Sequence, residues 1–285
     1  MKLGLVLEGG AMRGIYTAGV LDAFMDMGVK PDGVVGVSAG AIHGATYIAG
    51  QQGRSIRYMK KYCKDWHFMS WRSFFLTGDL VGKQFSYEEI PYELDPFDFQ
   101  TFYDSDIEFY AAATSLETGK AVYFNGKDVN RDEKRTLRII RASASMPVVS
   151  KIVGIDGKPY LDGGTADSIP IRAFQKMGYE KNIVVLTQPD AYMKKPEKLM
   201  PMIRSKYRNF PEYIKASEER YLMYNETKEY LKELEKKGEV LILRPSRAVD
   251  IDRMENNPKV IQAQYDLGRE DALAAKDAIE AFCKR

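Results

Sequence analysis

The sequence predicts an α/β fold on a mainly parallel sheet, followed by a mostly helical extension. Three observations carry this reading. The first forty residues read strand, glycine loop, helix, strand, a βαβ unit whose crossover makes its two strands parallel. Apolar runs and helical patterns then go on alternating to about residue 188. Beyond that point the chain turns rich in Met, Tyr and Lys, which divides it into residues 1–190 and a C-terminal extension, 191–285, packed on or joining the core. At 285 residues, about three quarters of the unfolded surface can be buried.

Composition narrows the function classes. The 42 basic and 40 acidic side chains leave a net charge of +2, no case for a nucleic-acid partner. Cys63 and Cys283 stand far apart with no partner at metal-ligand spacing, so neither a disulfide framework nor a zinc site is expected, and a reducing cytoplasm fits. No basic, apolar leader is visible and no apolar run approaches about 18 residues, so neither export nor a membrane span is expected. The oligomeric state is left open.

In chain order, Leu3 to Leu7 is an apolar strand closed by Glu8-Gly9-Gly10, and Gly14 to Met27 is a helix with Val20, Leu21 and Phe24 on one side. A second strand, Val34 to Val37, runs into small helix formers, Ala39 to Ala49, and Arg54 to Lys64 is a further helix. Ile107 to Thr114 and Ala121 to Phe124 are strands around the turn Glu117-Thr118-Gly119-Lys120. Arg131 to Ser143 is helical and stops before Pro147. Ile152 to Ile155 and Lys158 to Leu161 flank Asp156-Gly157, a strong hairpin signal. A helix from Ser168 to Met177 and a strand from Ile183 to Gln188 follow. In the extension, a long charged helix spans Pro211 to Lys237, Glu239 to Leu243 is one more strand, and Pro258 to Lys284 is a final helix.

The chemistry concentrates at Gly36-Val37-Ser38-Ala39-Gly40. Strand, one-residue corner and helix form the context of a nucleophile elbow, with glycines where backbone meets backbone and the serine at a helix N-terminus that favours negative charge. The same residues also fit a glycine-rich turn with Ser38 as its N-cap. A nucleophilic serine needs a base, and the chain holds only His43 and His67. His43 lies five residues from Ser38, off the i+3/i+4 face, and His67 lies in an aromatic stretch, so a carboxylate is the expected base. Asp162 is the candidate: it ends an apolar arm before Gly163 and Gly164, and the hairpin turn is already supplied by Asp156. Asp167 competes but reads as a helix cap.

Glu8-Gly9-Gly10-Ala11-Met12-Arg13-Gly14 fails as a phosphate loop, because Ile15-Tyr16 stands where Lys-Ser/Thr is required. It is weak as a dinucleotide fingerprint, since Ala11 replaces a glycine and Ser38, not an acid, ends the second strand. Successive N–H groups at a helix N-terminus do suit an oxyanion hole. Arg13 is unfavourable near a positive dipole end unless it binds a carboxylate or an anionic head group.

Together Gly9 to Gly14, Gly36 to Gly40 and Asp162-Gly163-Gly164 resemble the patatin-like phospholipases, over about residues 1 to 190. Ala142-Ser143-Ala144-Ser145-Met146-Pro147 is similar to an Ala/Ser-rich segment that the family carries before its aspartate strand. The resemblance implies a three-layer α/β/α sandwich and hydrolysis of lipid acyl esters by a Ser-Asp dyad. Carried over by motif, Ser38 is the nucleophile, Asp162 the base, and the amides of Gly9, Gly10 and Ala11 the oxyanion hole, supported by Arg13, Gly14, Gly36, Gly40, Gly163 and Gly164. Glu8 and Ala11 depart from the Asp and Gly frequent there. No metal or organic cofactor is implied. The competing readings are a nucleotide- or anion-binding module and a lipid-binding protein without turnover.

A lipid-facing surface is expected from Trp66, Phe68, Trp71, Phe74 and Phe75, with a basic segment, Tyr192 to Lys215. That segment sets Lys194, Lys195, Lys198, Arg204, Lys206, Arg208 and Lys215 against Glu197 and Glu212, enough for transient contact with an anionic membrane.

Overall fold

The chain enters at β1 (Leu3–Leu7), passes a 3-10 turn at Ala11–Gly14 into α1 (Ile15–Met27), and returns as β2 (Gly33–Val37). α2 (Ala39–Ile48), α3 (Arg54–Tyr62), α4 (Trp71–Thr77), a π-helical stretch Phe85–Leu94 and α5 (Phe99–Asp104) follow. β3 (Glu108–Ser115), β4 (Ala121–Asn125), α6 (Glu133–Ser143), β5 (Val153–Ile155) and β6 (Lys158–Asp162) come next, then α7 (Ile171–Lys176) and β7 (Lys181–Val185). The last third holds α8 (Met200–Lys206), α9 (Pro211–Lys237), β8 (Val240–Leu243), α10 (Pro258–Ala274) and α11 (Lys276–Lys284). This computed structural model describes residues 1–127, 130–248 and 250–284.

The eight strands form one mixed, mostly parallel sheet, ordered β5-β6-β3-β2-β1-β7-β8 with β4 on β3. Side chains alternate across it, as the period of a strand requires. Leu5, Leu7, Val34, Ile183 and Val185 join a core with α1, α2, α6, α10 and α11, while Val6, Val35 and Val184 join one with α7 and α9. Each fully buried Val, Leu or Ile contributes about 1.5–3 kcal/mol. Helices thus cover both faces, the α/β/α layering that the family resemblance implies.

The extension is built into this sandwich. β8 pairs parallel with β7, from Asn182↔Val240 to Val185↔Leu243. α10 lies against α1 at a crossing only glycine permits: a Cβ on Gly19 would fall 2.0 Å from the Tyr265 carbonyl oxygen, and one on Gly268 2.1 Å from that of Tyr16. Hydroxyls flank the crossing, Tyr16 donating to Asp271 at 3.0 Å and Tyr265 to Asp22 at 2.6 Å.

Two expected helices differ. The one expected from Ser168 begins at Ile171, with Pro170 in the cap position. The final one divides at Ala275, which lets α11 turn Ile279 and Phe282 into the core.

The strand that matters most for the site is β3. Its odd-numbered residues bond to β4, as in Ser115 N–H to Lys120 O and Gly126 N–H to Phe109 O. Its even-numbered residues serve the opposite edge, where Glu108 N–H reaches Asp32 O and Leu116 N–H reaches Pro159 O. That edge is shared: β2 takes it up to Val37↔Ala112, and β6, antiparallel, takes it from Asp162↔Ala113. The two strands meet head to head.

Candidate active site

Ser38 alone makes the corner between β2 and α2. Its backbone lies at φ 54°, ψ −120°, a conformation that costs a non-glycine residue about 1–3 kcal/mol. The flanking glycines make the corner possible, since a Cβ on Gly36 would fall 2.5 Å from the Ala41 nitrogen and one on Gly40 2.5 Å from the Leu7 carbonyl oxygen. The Ser38 side chain makes no capping hydrogen bond, so the reading of a mere N-cap fails. Its N–H donates to Ser143 Oγ at 2.9 Å.

Asp162 ends β6 against the end of β2, because both use one edge of β3. Its N–H donates to the Ser145 carbonyl at 2.8 Å, so the segment from Ala142 to Pro147 braces Ser38 through Ser143 and Asp162 through Ser145. Oδ1 accepts the Gly164 N–H at 2.8 Å. A Cβ on Gly163 would fall 2.2 Å from the Ala112 carbonyl oxygen, which explains the glycine after the aspartate. Burial pushes the Asp162 carboxyl above the usual carboxylate range, opposed by the charge of Arg220, hydrogen bonding with Ser38, the Gly164 N–H and Arg253. Asp167 is not a cap of α7: it accepts from the Tyr123 hydroxyl at 2.6 Å.

The glycine loop closes the third side. Gly9 lies against Ser38, where a Cβ would stand 3.0 Å from the serine Cβ, and Gly14 lies against Ala39. Ala11 sits at φ 49°, the left-handed region that glycine occupies without strain. Among the described residues, nothing accepts from the N–H groups of Gly10 and Ala11. Glu8 is buried, accepting from the Thr187 N–H at 2.6 Å and the Tyr224 hydroxyl at 2.8 Å. Burial raises its carboxyl, against the Thr187 N–H, Tyr224 and Lys194. Arg13 binds no carboxylate among the described residues; its Nε donates to the Ile251 carbonyl at 3.3 Å.

Both histidines have other employment. His43 is buried with Nδ1 2.9 Å from Ser55 Oγ, and burial holds its pKa down to about 4. His67 Nδ1 lies 2.8 Å from Asp65.

Two cavities open beside Ser38 and share Ala11, Ser38 and Met146 as walls. The first encloses about 1000 Å³, open mouth included, behind α2 and the π-helical stretch, with Ile42, Tyr58, Phe68, Ile90 and Phe97 in its lining. Phe68 is therefore part of an interior wall and not of the expected surface. The second cleft holds the glycine loop, Asp162 and four cations, Arg13, Lys194, Arg220 and Arg253. Three of these come from the extension. Lys194 is half-buried, so it is not part of a solvated basic face. Lys206 donates to the Val148 carbonyl at 2.7 Å and Arg204 pairs with Glu218 at 2.7 Å, which reduces that face further. Arg220, placed by α9, donates to the Gly164 carbonyl at 2.6 Å and was hidden in a helix whose composition reads as solvated.

Comparison with known proteins gives the same architecture. The solved structure of VipD from Legionella pneumophila superposes with a TM-score of 0.50 over 97% of this chain and 67% of that one, at 12% identity. The protein YjjU of Escherichia coli, itself described as uncharacterized, is 31% identical over 69% of this chain and 55% of its own length. "Lysophospholipase nte1" of Aspergillus niger is 29% identical over 62% of this chain and 11% of its own length. The match thus spans about half of the first relative and about a tenth of the second. Residues 210–284 match the model of a domain of unknown function (DUF6363). The model of the patatin-like phospholipases matches residues 5–174, more than half of the chain and every motif around Ser38 and Asp162, and the protein belongs to that family.

Proposed function

We propose that the protein is a serine-dependent hydrolase of lipid carboxylic esters, with Ser38 as nucleophile and Asp162 as base. The observation that carries this reading is the meeting of the two side chains at the head-to-head junction of β2 and β6, on the rim of an apolar cavity. An acyl chain enters that cavity and sets the ester carbonyl at Ser38. Asp162 takes the Ser38 proton as Oγ attacks the carbonyl carbon; the N–H groups of Gly10 and Ala11, with Gly9 beside them, receive the oxyanion. Collapse expels the alcohol, which leaves with the proton from Asp162. Water, deprotonated by Asp162, then attacks the acyl-enzyme, releasing the fatty acid and returning the proton to Ser38. The raised carboxyl of Asp162 favours this role, since a stronger base than an ordinary aspartate is needed near neutrality. The lysophospholipase relatives add single-chain phospholipids to the substrates to be tried.

Contact with a lipid surface belongs to the same proposal. Trp71, Phe75 and Leu76 are exposed on α4, and Trp71 and the exposed Leu199 also line the cleft mouth. Such side chains enter the boundary between water and acyl chains. Among the described residues no helix is long and apolar enough to cross a membrane.

A panel of carboxylic esters and phospholipids offered to the wild type and to Ser38→Ala tests the reading. Hydrolysis by the wild type, reduced at least about a thousandfold in the variant, is expected. Equal rates for the two would refute it.

A further inference from the structure

An ester held with its acyl chain in the apolar cavity and its carbonyl at Ser38 has its alcohol part in the second cleft, since the two cavities meet at that residue. The charge there is not arranged at random. Arg220 and Arg253 line that cleft together with Asp162 and favour its ionised form, and Arg220 donates to the Gly164 carbonyl at 2.6 Å. Lys194 reaches the same cleft from the segment before α8, its ammonium 4.3 Å from the centre of the Tyr224 ring.

Four acids also line the cleft, and three of them are occupied; the fourth, Asp252, is exposed and among the described residues accepts only the Met254 N–H, at 3.4 Å. Glu8 is bound by Thr187 and Tyr224, Asp162 by Gly164, and Glu197 lies 3.9 Å from Arg220. Among the described residues, Lys194 and Arg253 form no ion pair. Burial, then the like charges of Arg220 and Arg253, hold the Lys194 ammonium down to about 8, against Glu8 and Glu197. Positive charge packed this way, with Lys194 and Arg253 in no ion pair among the described residues, is stabilised by an anion. A zwitterionic head group offers that anion with a compensating cation attached.

We propose that this cleft selects lipid esters whose polar part carries net negative charge, a phosphate monoester or diester without a cationic group, and that Lys194, Arg220 and Arg253 of the C-terminal third set this selectivity. The proposal rests on the hydrolase reading and goes beyond it, because it assigns to the extension the choice of substrate at a reaction site built by the rest of the chain.

The test compares kcat/KM for single-chain lysophospholipids of one acyl length, kept monomeric: lysophosphatidic acid and lysophosphatidylglycerol against lysophosphatidylcholine. The wild type is expected to favour the anionic lipids at least about tenfold, as one charge-assisted hydrogen bond allows. Lys194→Gln and Arg253→Gln should each lower that ratio about tenfold, and Lys194→Arg should keep it. Arg253 is exposed, so its variant tests the idea even if a change at Lys194 disturbs folding. A wild-type ratio near one, or a ratio indifferent to both charge removals, overturns the proposal. A binding arm separates it from the hydrolase reading: calorimetric titration of Ser38→Ala with glycerol 3-phosphate and with inorganic phosphate. Binding of glycerol 3-phosphate that Arg253→Gln weakens, with no ester turned over by the wild type, keeps the anion site and sinks the hydrolase. Inorganic phosphate bound as tightly as the ester sinks the head-group assignment.

Discussion

Among the described residues, every side chain lining the apolar cavity lies between Ala11 and Met146, whereas the cleft on the other side of Ser38 draws Tyr192, Lys194, Glu197, Arg220 and Arg253 from beyond residue 190. In the proposed mechanism one region builds the reaction corner and the place for an acyl chain, and the other walls the space where the alcohol leaves. Parts of a chain that look like core and appendage can therefore divide one site between them, and here Glu8 joins them physically, bound by Thr187 on one side and by Tyr224 of α9 on the other.

Asp162→Asn strikes at what both regions share and carries the largest expected effect, a loss of kcat within about tenfold of that for Ser38→Ala, because residues acting as a unit lose nearly everything together. The wild-type rate should also fall on the acid side, as Asp162 becomes protonated. Since burial raises that carboxyl, the acid limb lies above the usual aspartate value near 3.9. A limb at or below that value would contradict the burial argument.

Gly268→Ala asks whether the extension is structurally separable. The added Cβ must displace the Tyr16 carbonyl, so α10 has to move off α1. A stability loss of about 3 kcal/mol is expected by chemical denaturation, at the upper end for overpacking. A change below about 0.5 kcal/mol would mean that the crossing yields freely and that the extension is held elsewhere.

Ile42→Trp sharpens the other side of the comparison. Ile42 lines the apolar cavity, and a larger ring there takes the room of some two methylenes. At about 0.8 kcal/mol per methylene, kcat/KM for long-chain esters should fall about tenfold relative to short-chain ones. An unchanged chain-length profile would place the acyl chain outside this cavity.

The elbow was legible because it is local: strand, corner and helix follow one another within about fifteen residues, and the glycines mark contacts between adjacent backbones. Asp162 was legible as an aspartate left over once Asp156 supplied the hairpin turn, although in the structure it also caps a 3-10 turn, Gly163–Thr165. Their meeting was not, because it depends on two distant strands sharing one edge of β3, a pairing that no periodicity records. Phe68 and Trp71 read alike in the sequence, yet one lines the cavity and the other is exposed, since α4 begins at Trp71. Arg220 was hidden by composition, since α9 buries Tyr213, Tyr224 and Lys228 along a helix whose charged residues suggest solvent on every face, and Lys194 by the run of basic residues it belongs to before α8. A charge that faces a cleft is indistinguishable in sequence from one that faces water.

In the proposed mechanism Ser38 is activated by Asp162 with no histidine involved. Labelling with a fluorophosphonate probe, read by mass spectrometry of the peptide that carries Ser38, tests it most directly. One adduct is expected on Ser38 in the wild type and in His67→Gln, strongly slowed in Asp162→Asn. An adduct at another residue, or labelling of Ser38 that survives Asp162→Asn but disappears in folded His67→Gln, would contradict it.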